Sequence, residues 1–124
     1  MLDPVSKPRQ SRSDRWRVGE NARPAVQKYR DFADALRIAA LNNAFHLGDK
    51  VYLEFHIKIP KSWSKKKKLQ LINTPHKVPK SKDIDNLIKS IFDVLRPEDD
   101  GCIHVVEARK YWAEEGRLVI ENKS

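Results

Sequence analysis

Five residues in the second half of the chain have the types and spacing that metal-dependent hydrolysis needs. Asp83 and Asp85 stand two positions apart, Lys89 lies four positions after Asp85, and Asp99 and Asp100 come later. Carboxylate oxygens are preferred Mg²⁺ ligands, and clustered carboxylates raise one another's pKa until a cation neutralises them. On a helix Lys89 shares a face with Asp85, where it can stabilise negative charge developing on a phosphate.

The same residues also have ordinary structural explanations. Asp83 can be a helix N-cap, Asp85 and Lys89 can form an exposed i,i+4 pair, and Asp99 and Asp100 can belong to a turn. A helix between the two aspartate pairs would be about 18 Å long. A single site therefore requires the chain to return along that helix, or a second subunit to supply part of the cleft.

Charge is divided unevenly along the 124 residues. Residues 1–82 contain 19 Lys+Arg and 7 Asp+Glu, whereas residues 83–124 contain 6 and 10, for a net charge of +8. A strongly basic protein commonly binds a polyanion, and nucleic acid is the commonest one. A basic surface combined with an acidic site is the composition expected of a metal-dependent nuclease.

Two segments concentrate the basic residues, an arm at residues 1–23 and a loop at residues 61–82. Both suit contact with a phosphate backbone, although a basic tail and a solvated lysine run are the plain alternatives. The candidate nucleic-acid-binding residues are Lys7, Arg9, Arg12, Arg15, Arg17, Lys65, Lys66, Lys67, Lys68, Lys77, Lys80 and Lys82.

Periodicity predicts one α+β domain over residues 24–124, with two main helices and a small β-sheet. Apolar residues at three- and four-residue steps predict helices starting near Pro24 and Asp83, and strict alternation predicts a strand over residues 51–60. His56 falls on the polar side of that strand and is expected to face solvent. A strand at residues 103–110 and a closing antiparallel strand at residues 117–121, joined by a turn at Glu115 and Gly116, are expected to follow.

Localisation is predicted from what the sequence lacks. No apolar run approaches the ~18 residues that span a membrane, and the N-terminus has no apolar signal region. We therefore expect a cytoplasmic protein with no membrane partner.

Several motifs together resemble the RusA family of Holliday junction resolvases. Upstream of them, residues 29–31 (Tyr-Arg-Asp) lie in a predicted helix that precedes a strand and a basic loop. The similarity covers roughly residues 7–121, with a short first strand expected within residues 1–5. The specific motifs are Lys-Asp-Ile-Asp-Asn-Leu-Ile-Lys at 82–89, Phe-Asp-Val-Leu at 92–95, Asp-Asp at 99–100 and the strand-like run at 103–110.

The resemblance implies a small mixed α/β fold that forms a homodimer. It also implies a Mg²⁺-dependent endonuclease that acts on branched DNA in recombination and repair, typically encoded by a bacterium, phage or prophage. By position, the family's metal-binding carboxylates fall on Asp83, Asp85 and Asp100, with Asp99 adjacent, and its catalytic lysine falls on Lys89. The alternative is a basic DNA-binding module without catalytic activity.

Overall fold

The chain folds into helices packed on a small mixed sheet, which confirms the predicted α+β class. The computed structural model describes residues 2–8, 23–79 and 81–124. In that part of the chain the α-helices are α1 (Pro24–Asn42), α2 (Lys65–Leu71) and α3 (Ile84–Leu95). The strands are β1 (Lys50–Lys58), β2 (Val105–Ala113) and β3 (Arg117–Asn122), and a short 3-10 turn (Asp100–Cys102) precedes β2.

β1 is the central strand of the sheet. β2 pairs with it in parallel, from Lys50 opposite Val105 to Lys58 opposite Ala113, and β3 pairs with its other edge in antiparallel fashion. The sequence predicts a turn at Glu115 and a closing antiparallel strand, and this strand lies beside β1 and not beside β2. The short connection carries the chain past the end of β1 to its far edge, because β1 is the most apolar strand and is shielded best at the centre.

The β1–α3–β2 segment is a parallel crossover, so α3 runs antiparallel to both strands. Its N-terminus therefore lies near the carboxyl ends of the strands, where the Lys110 ammonium donates to the Lys82 carbonyl oxygen at 2.9 Å. Its C-terminus lies near their amino ends, where the His104 amide donates to the Asp49 carbonyl oxygen at 2.9 Å. This orientation decides where each candidate site residue stands.

One face of β1 packs against α1 and α3 to form the core. The alternating residues Val51, Leu53 and Phe55 are almost wholly buried, as predicted. Helix α3 buries a narrower stripe than predicted, since Ile88 and Phe92 pack at the edge of the core and are only partly buried. The buried core residues of α1 are Val26, Tyr29, Phe32, Ala33 and Leu36, and the buried residues of α3 are Leu87, Ser90, Ile91 and Val94.

In the described part of the chain, no helix combines the length and apolarity needed to cross a bilayer.

The sequence predicts a loop for the lysine-rich segment at residues 61–82. In the structure this segment contains α2. The Ser64 hydroxyl caps this helix by accepting from the Lys67 amide at 3.2 Å, which fits the preference for serine at N-caps. Trp63 packs edge-on against Trp112 of β2 with ring centroids 4.7 Å apart.

Residues 2–8 form no helix or strand, so the short first strand is not found there, yet Val5 is buried in the core.

Truncating Leu87 should test whether α3 is held by the core. This side chain is 0% exposed in the first half of the helix. Leu87→Ala should lower the free energy of unfolding by about 2–5 kcal/mol in urea titrations, because it removes buried methyl groups and leaves a cavity. Leu41→Ala, at a side chain that is 79% exposed on α1, is the matched control and should change it little. Equal losses in the two variants would contradict this packing.

Candidate functional site

Asp83 and Asp85 lie at the start of α3, at the carboxyl edge of the parallel strands. Asp83 occupies the N-cap position with extended backbone angles, but its side chain makes no capping hydrogen bond. Asp85 lies in the first turn, and both carboxylates are exposed. N-capping, the ordinary structural explanation for Asp83, is therefore not what its carboxylate does in this structure.

Lys89 is exposed one turn beyond Asp85 on the same helix. The four-residue spacing puts the two side chains on one face, as predicted. The structure records no ion pair between these two described residues, although both can reach a common ligand. A phosphate approaching this face would meet two carboxylates and one ammonium group.

The backbone at Lys82 determines how the chain enters α3. Lys82 has a φ of 52°, a left-handed conformation that is uncommon for a residue with a side chain. Its ammonium group donates to the Pro4 carbonyl oxygen at 3.1 Å, and its own carbonyl accepts from Lys110. Burial lowers the pKa of Lys82, and the nearby Lys28 lowers it further. These contacts hold the residue directly before Asp83 in a fixed geometry.

Asp99 and Asp100 lie beyond the C-terminus of α3, near the amino ends of the parallel strands. The Arg96 guanidinium donates to both carboxylate oxygens of Asp99, at 3.0 and 2.8 Å, and to Asp49 Oδ1 at 2.6 Å. The side chain of Arg96 is only 12% exposed, and the bidentate contact holds the pKa of Asp99 below its usual range. We call these three side chains the Arg96 clamp. Asp100 begins the 3-10 turn and is exposed.

A single chain does not bring the two aspartate pairs together. Helix α3 has 12 residues and separates them by about 18 Å. Within residues 2–8, 23–79 and 81–124, no three His, Cys, Asp or Glu side chains are grouped closely enough to hold a metal ion. Asp83 and Asp85 thus form one carboxylate group and Asp100 belongs to another, so the predicted set of ligands stays a prediction.

The outer face of the sheet carries a polar network that the sequence did not reveal. Glu54 accepts hydrogen bonds from the Tyr52 hydroxyl and from His56, whose Nε2 lies 2.9 Å from Glu54 Oε1. The Tyr52 hydroxyl and then His56 lower the pKa of Glu54, and the same bond raises the pKa of Tyr52 to about 12. His56 lies beside Tyr111 and is only 9% exposed, so the expectation that it faces solvent is wrong.

The predicted nucleic-acid contacts occupy different environments. Lys65, Lys66 and Lys77 are exposed, whereas the Lys67 ammonium lies 4.1 Å from the centre of the Trp63 ring. Lys7 pairs with Asp93 of α3. Lys68 is partly exposed and Lys82 is partly buried, as described above. The remaining candidates, Arg9, Arg12, Arg15, Arg17 and Lys80, lie outside the described residues.

A basic α+β domain that exposes carboxylates beside a lysine has the make-up of a nuclease. The chain matches the family model described as Endodeoxyribonuclease RusA over residues 2–122, and it therefore belongs to that family. The resemblance seen in the motifs at residues 82–110 is thereby confirmed. No curated protein and no solved structure matches the chain in the other two comparisons.

Removing the guanidinium should show what the Arg96 clamp does. In Arg96→Ala the pKa of Asp99 should rise to its ordinary value in an NMR titration of the carboxyl groups, because the two hydrogen bonds that favour the ionised form are lost. A depressed pKa stabilises the fold above the carboxyl's ordinary pKa, and this contribution disappears as the pH falls through the folded-state value. The stability lost in Arg96→Ala should therefore be greatest near neutral pH and shrink in acid.

Arg37→Ala is the matched control, because Arg37 pairs with Asp34 on the exposed surface of α1 at 3.1 Å. It should leave both the pKa of Asp99 and the pH dependence of stability unchanged. An unaltered Asp99 titration in Arg96→Ala would show that the clamp does not form in solution.

Proposed function

We propose that this protein is a Mg²⁺-dependent endonuclease that resolves Holliday junctions and related branched DNA by paired phosphodiester hydrolysis, in recombination and repair. The family match supports the nuclease class. The observation that carries the proposal is the exposed pair Asp83 and Asp85, held at the start of α3 with Lys89 one turn away. These side chains are available to a ligand, and the fold fixes the backbone that presents them.

The donor chemistry fits Mg²⁺, since the candidate ligands are carboxylate oxygens and the ion keeps several waters. Asp83 and Asp85 would hold it at one end of α3, with Asp100 as the remaining ligand. Asp99 is a poorer candidate, because Arg96 already occupies both of its oxygens. When bound, the ion would supply Lewis-acid activation of the phosphodiester and neutralise the carboxylates.

A two-fold dimer can join the separated carboxylates. If α3 packs antiparallel against its copy, the N-terminus of each helix lies beside the C-terminus of the other. Asp83 and Asp85 of one protomer would then face Asp100 of the partner subunit. Partly buried Ile84, Ile88 and Phe92 recur every four residues on α3 and leave apolar surface for such packing. Two-fold symmetry would create two equivalent sites, as paired incision of a symmetric junction requires.

The remaining residues of the face bind and orient the substrate. Lys89 stabilises the charge that develops on the non-bridging phosphate oxygens during in-line attack, because α3 holds it one turn beyond Asp85 on the same face. The exposed lysines of α2 bind the phosphate backbone without regard to sequence. Lys82 orients Asp83 through the backbone, with its ammonium turned to Pro4 and away from DNA.

The second candidate function is a basic DNA-binding module that does not cut. The surface of α2 is favourable for such a role by itself, since Lys65 and Lys66 are exposed. The two candidates differ in one property, which is whether junction DNA is hydrolysed when Mg²⁺ is added.

Replacing Asp85 by Asn should separate binding from cleavage. Asp85→Asn keeps the shape of the side chain and removes its charge, so the rate of cutting a synthetic four-way junction in Mg²⁺ should fall by roughly 100-fold or more. Junction binding in EDTA should persist or tighten, because it depends on lysine and arginine. Denaturing gels measure the first quantity and band-shift titrations the second.

Asp34→Asn is the matched control, since Asp34 is an exposed aspartate on α1 outside the site. It should cut at the wild-type rate. Wild-type cutting by Asp85→Asn would refute the site, and a wild-type protein that binds junctions but never cuts them in Mg²⁺ would establish the non-catalytic module.

A further inference from the structure

A cavity lies apart from the proposed catalytic residues, between the end of β1 and helix α2, and we call it the α2 cavity. Its volume is about 490 Å³. The lining residues are Lys58, Ile59, Lys61, Lys65, Lys68, Leu69, Ile72 and Glu114. None of these belongs to the proposed catalytic set, and half of them are lysines.

Helix α2 presents one face to this cavity. Lys68 and Leu69 come three and four residues after Lys65, so these three side chains share one side of the helix. Ile72 directly follows the last residue of α2 and also lines the cavity. Trp63 and Lys67 stack on each other and do not line the cavity, so the lysines of α2 fall into two functional groups. The cavity-facing group pairs positive charge with apolar surface.

Leu69 is the most informative residue of that face. Leu69 is 78% exposed, whereas the other two aliphatic lining residues, Ile59 and Ile72, are buried and partly buried. A large aliphatic side chain left in water at the rim of a lysine-lined cavity leaves apolar area for a ligand to cover. Because the lysines carry four positive charges against the single carboxylate of Glu114, the ligand must also be anionic.

Glu114 distinguishes between possible anionic ligands. An acidic peptide offers carboxylates, which this side chain would repel. A nucleotide offers its phosphate to the lysines and the N–H donors of its base to a carboxylate, as glutamate accepts from the amino group of cytosine. The charges therefore favour a nucleotide over an acidic peptide.

One of the lysines that line this cavity is shared with a smaller cavity near the proposed site. Lys58 also lines a smaller cavity of about 180 Å³ together with Lys28 and Lys82, and Lys82 directly precedes Asp83. A DNA strand that leaves the carboxylates along Lys28 and Lys58 would arrive at the α2 cavity.

We propose that the α2 cavity binds an unpaired nucleotide of a single-stranded DNA segment. The base lies against Leu69, Ile72 and Ile59, its amino edge faces Glu114, and the flanking phosphates contact the lysines. This assignment rests on the proposed action on DNA and makes it more specific, since it implies substrates with unpaired bases beside the cut. Duplex DNA cannot fill the cavity, because its bases are stacked and paired.

Binding of short oligonucleotides in EDTA tests the assignment without any cleavage. Fluorescence anisotropy would compare a labelled cytidine oligomer of roughly ten nucleotides, a thymidine oligomer of the same length and a duplex. Leu69→Gln should weaken binding of the cytidine oligomer about fivefold or more and leave duplex binding unchanged, because only an unpaired base loses its apolar contact. Wild-type protein should prefer cytidine to thymidine, and Glu114→Gln should reduce that preference.

Leu41→Gln is the matched control, because Leu41 is as exposed as Leu69, lies on α1 and does not line this cavity. It should bind all three DNAs as the wild type does. The proposal is overturned if Leu69→Gln and Leu41→Gln bind the cytidine oligomer equally well, or if Leu69→Gln weakens duplex binding to the same degree. It is also overturned if a short acidic peptide ending in phenylalanine binds in a Leu69-dependent manner and the oligomers do not.

These outcomes are independent of the nuclease proposal. A protein that fails to cut junctions in Mg²⁺ but binds the cytidine oligomer in a Leu69-dependent manner retains the nucleotide cavity and loses only the catalytic assignment. A protein that cuts junctions but binds the oligomers without regard to Leu69 retains catalysis and loses the cavity.

Discussion

The parallel pairing of β1 with β2 is the constraint on which the arrangement of the site depends. Two adjacent parallel strands need a crossover, and α3 supplies it by running back along the sheet. The helix therefore carries Asp83 and Asp85 near the carboxyl ends of the parallel strands, while Asp99 and Asp100 follow near their amino ends. The Lys82 backbone fixes the first pair, and the Arg96 clamp ties the second to the start of β1.

Local patterns in the sequence predicted the elements better than their arrangement. The alternation of β1 and the apolar stripe of α1 each depend on one buried face, so both were predictable. The position of β3 was not, because the short connection after β2 is compatible with either edge of the sheet and only the burial of β1 decides. Helix α2 was hidden by its lysines, and its stability depends on the Ser64 cap and the contact of Trp63 with Trp112.

The site was predictable as a set of residue types and not as a geometry. The spacing of Asp85 and Lys89 predicted a shared helix face, but no local pattern showed that Arg96 would occupy Asp99 or that Asp49 would join it. Asp49 lies 47 positions from Arg96, so only the fold brings these two side chains together. In the proposed arrangement Asp83, Asp85 and Asp100 meet only when two chains associate, and single-chain periodicity does not encode that association. The central claim is accordingly that each proposed site is shared between protomers.

Mixing two inactive variants tests that claim most directly. Asp85→Asn and Asp100→Asn would be unfolded together, refolded at equal concentrations and assayed on a four-way junction in Mg²⁺. In a shared site, each mixed dimer contains one site with both substitutions and one with neither, so nicking should recover to about a quarter of the wild-type rate. If each site lies within one protomer, every site carries one substitution and the mixture stays as inactive as either variant alone. The account predicts recovery, and no recovery from dimers confirmed to exchange subunits would contradict it.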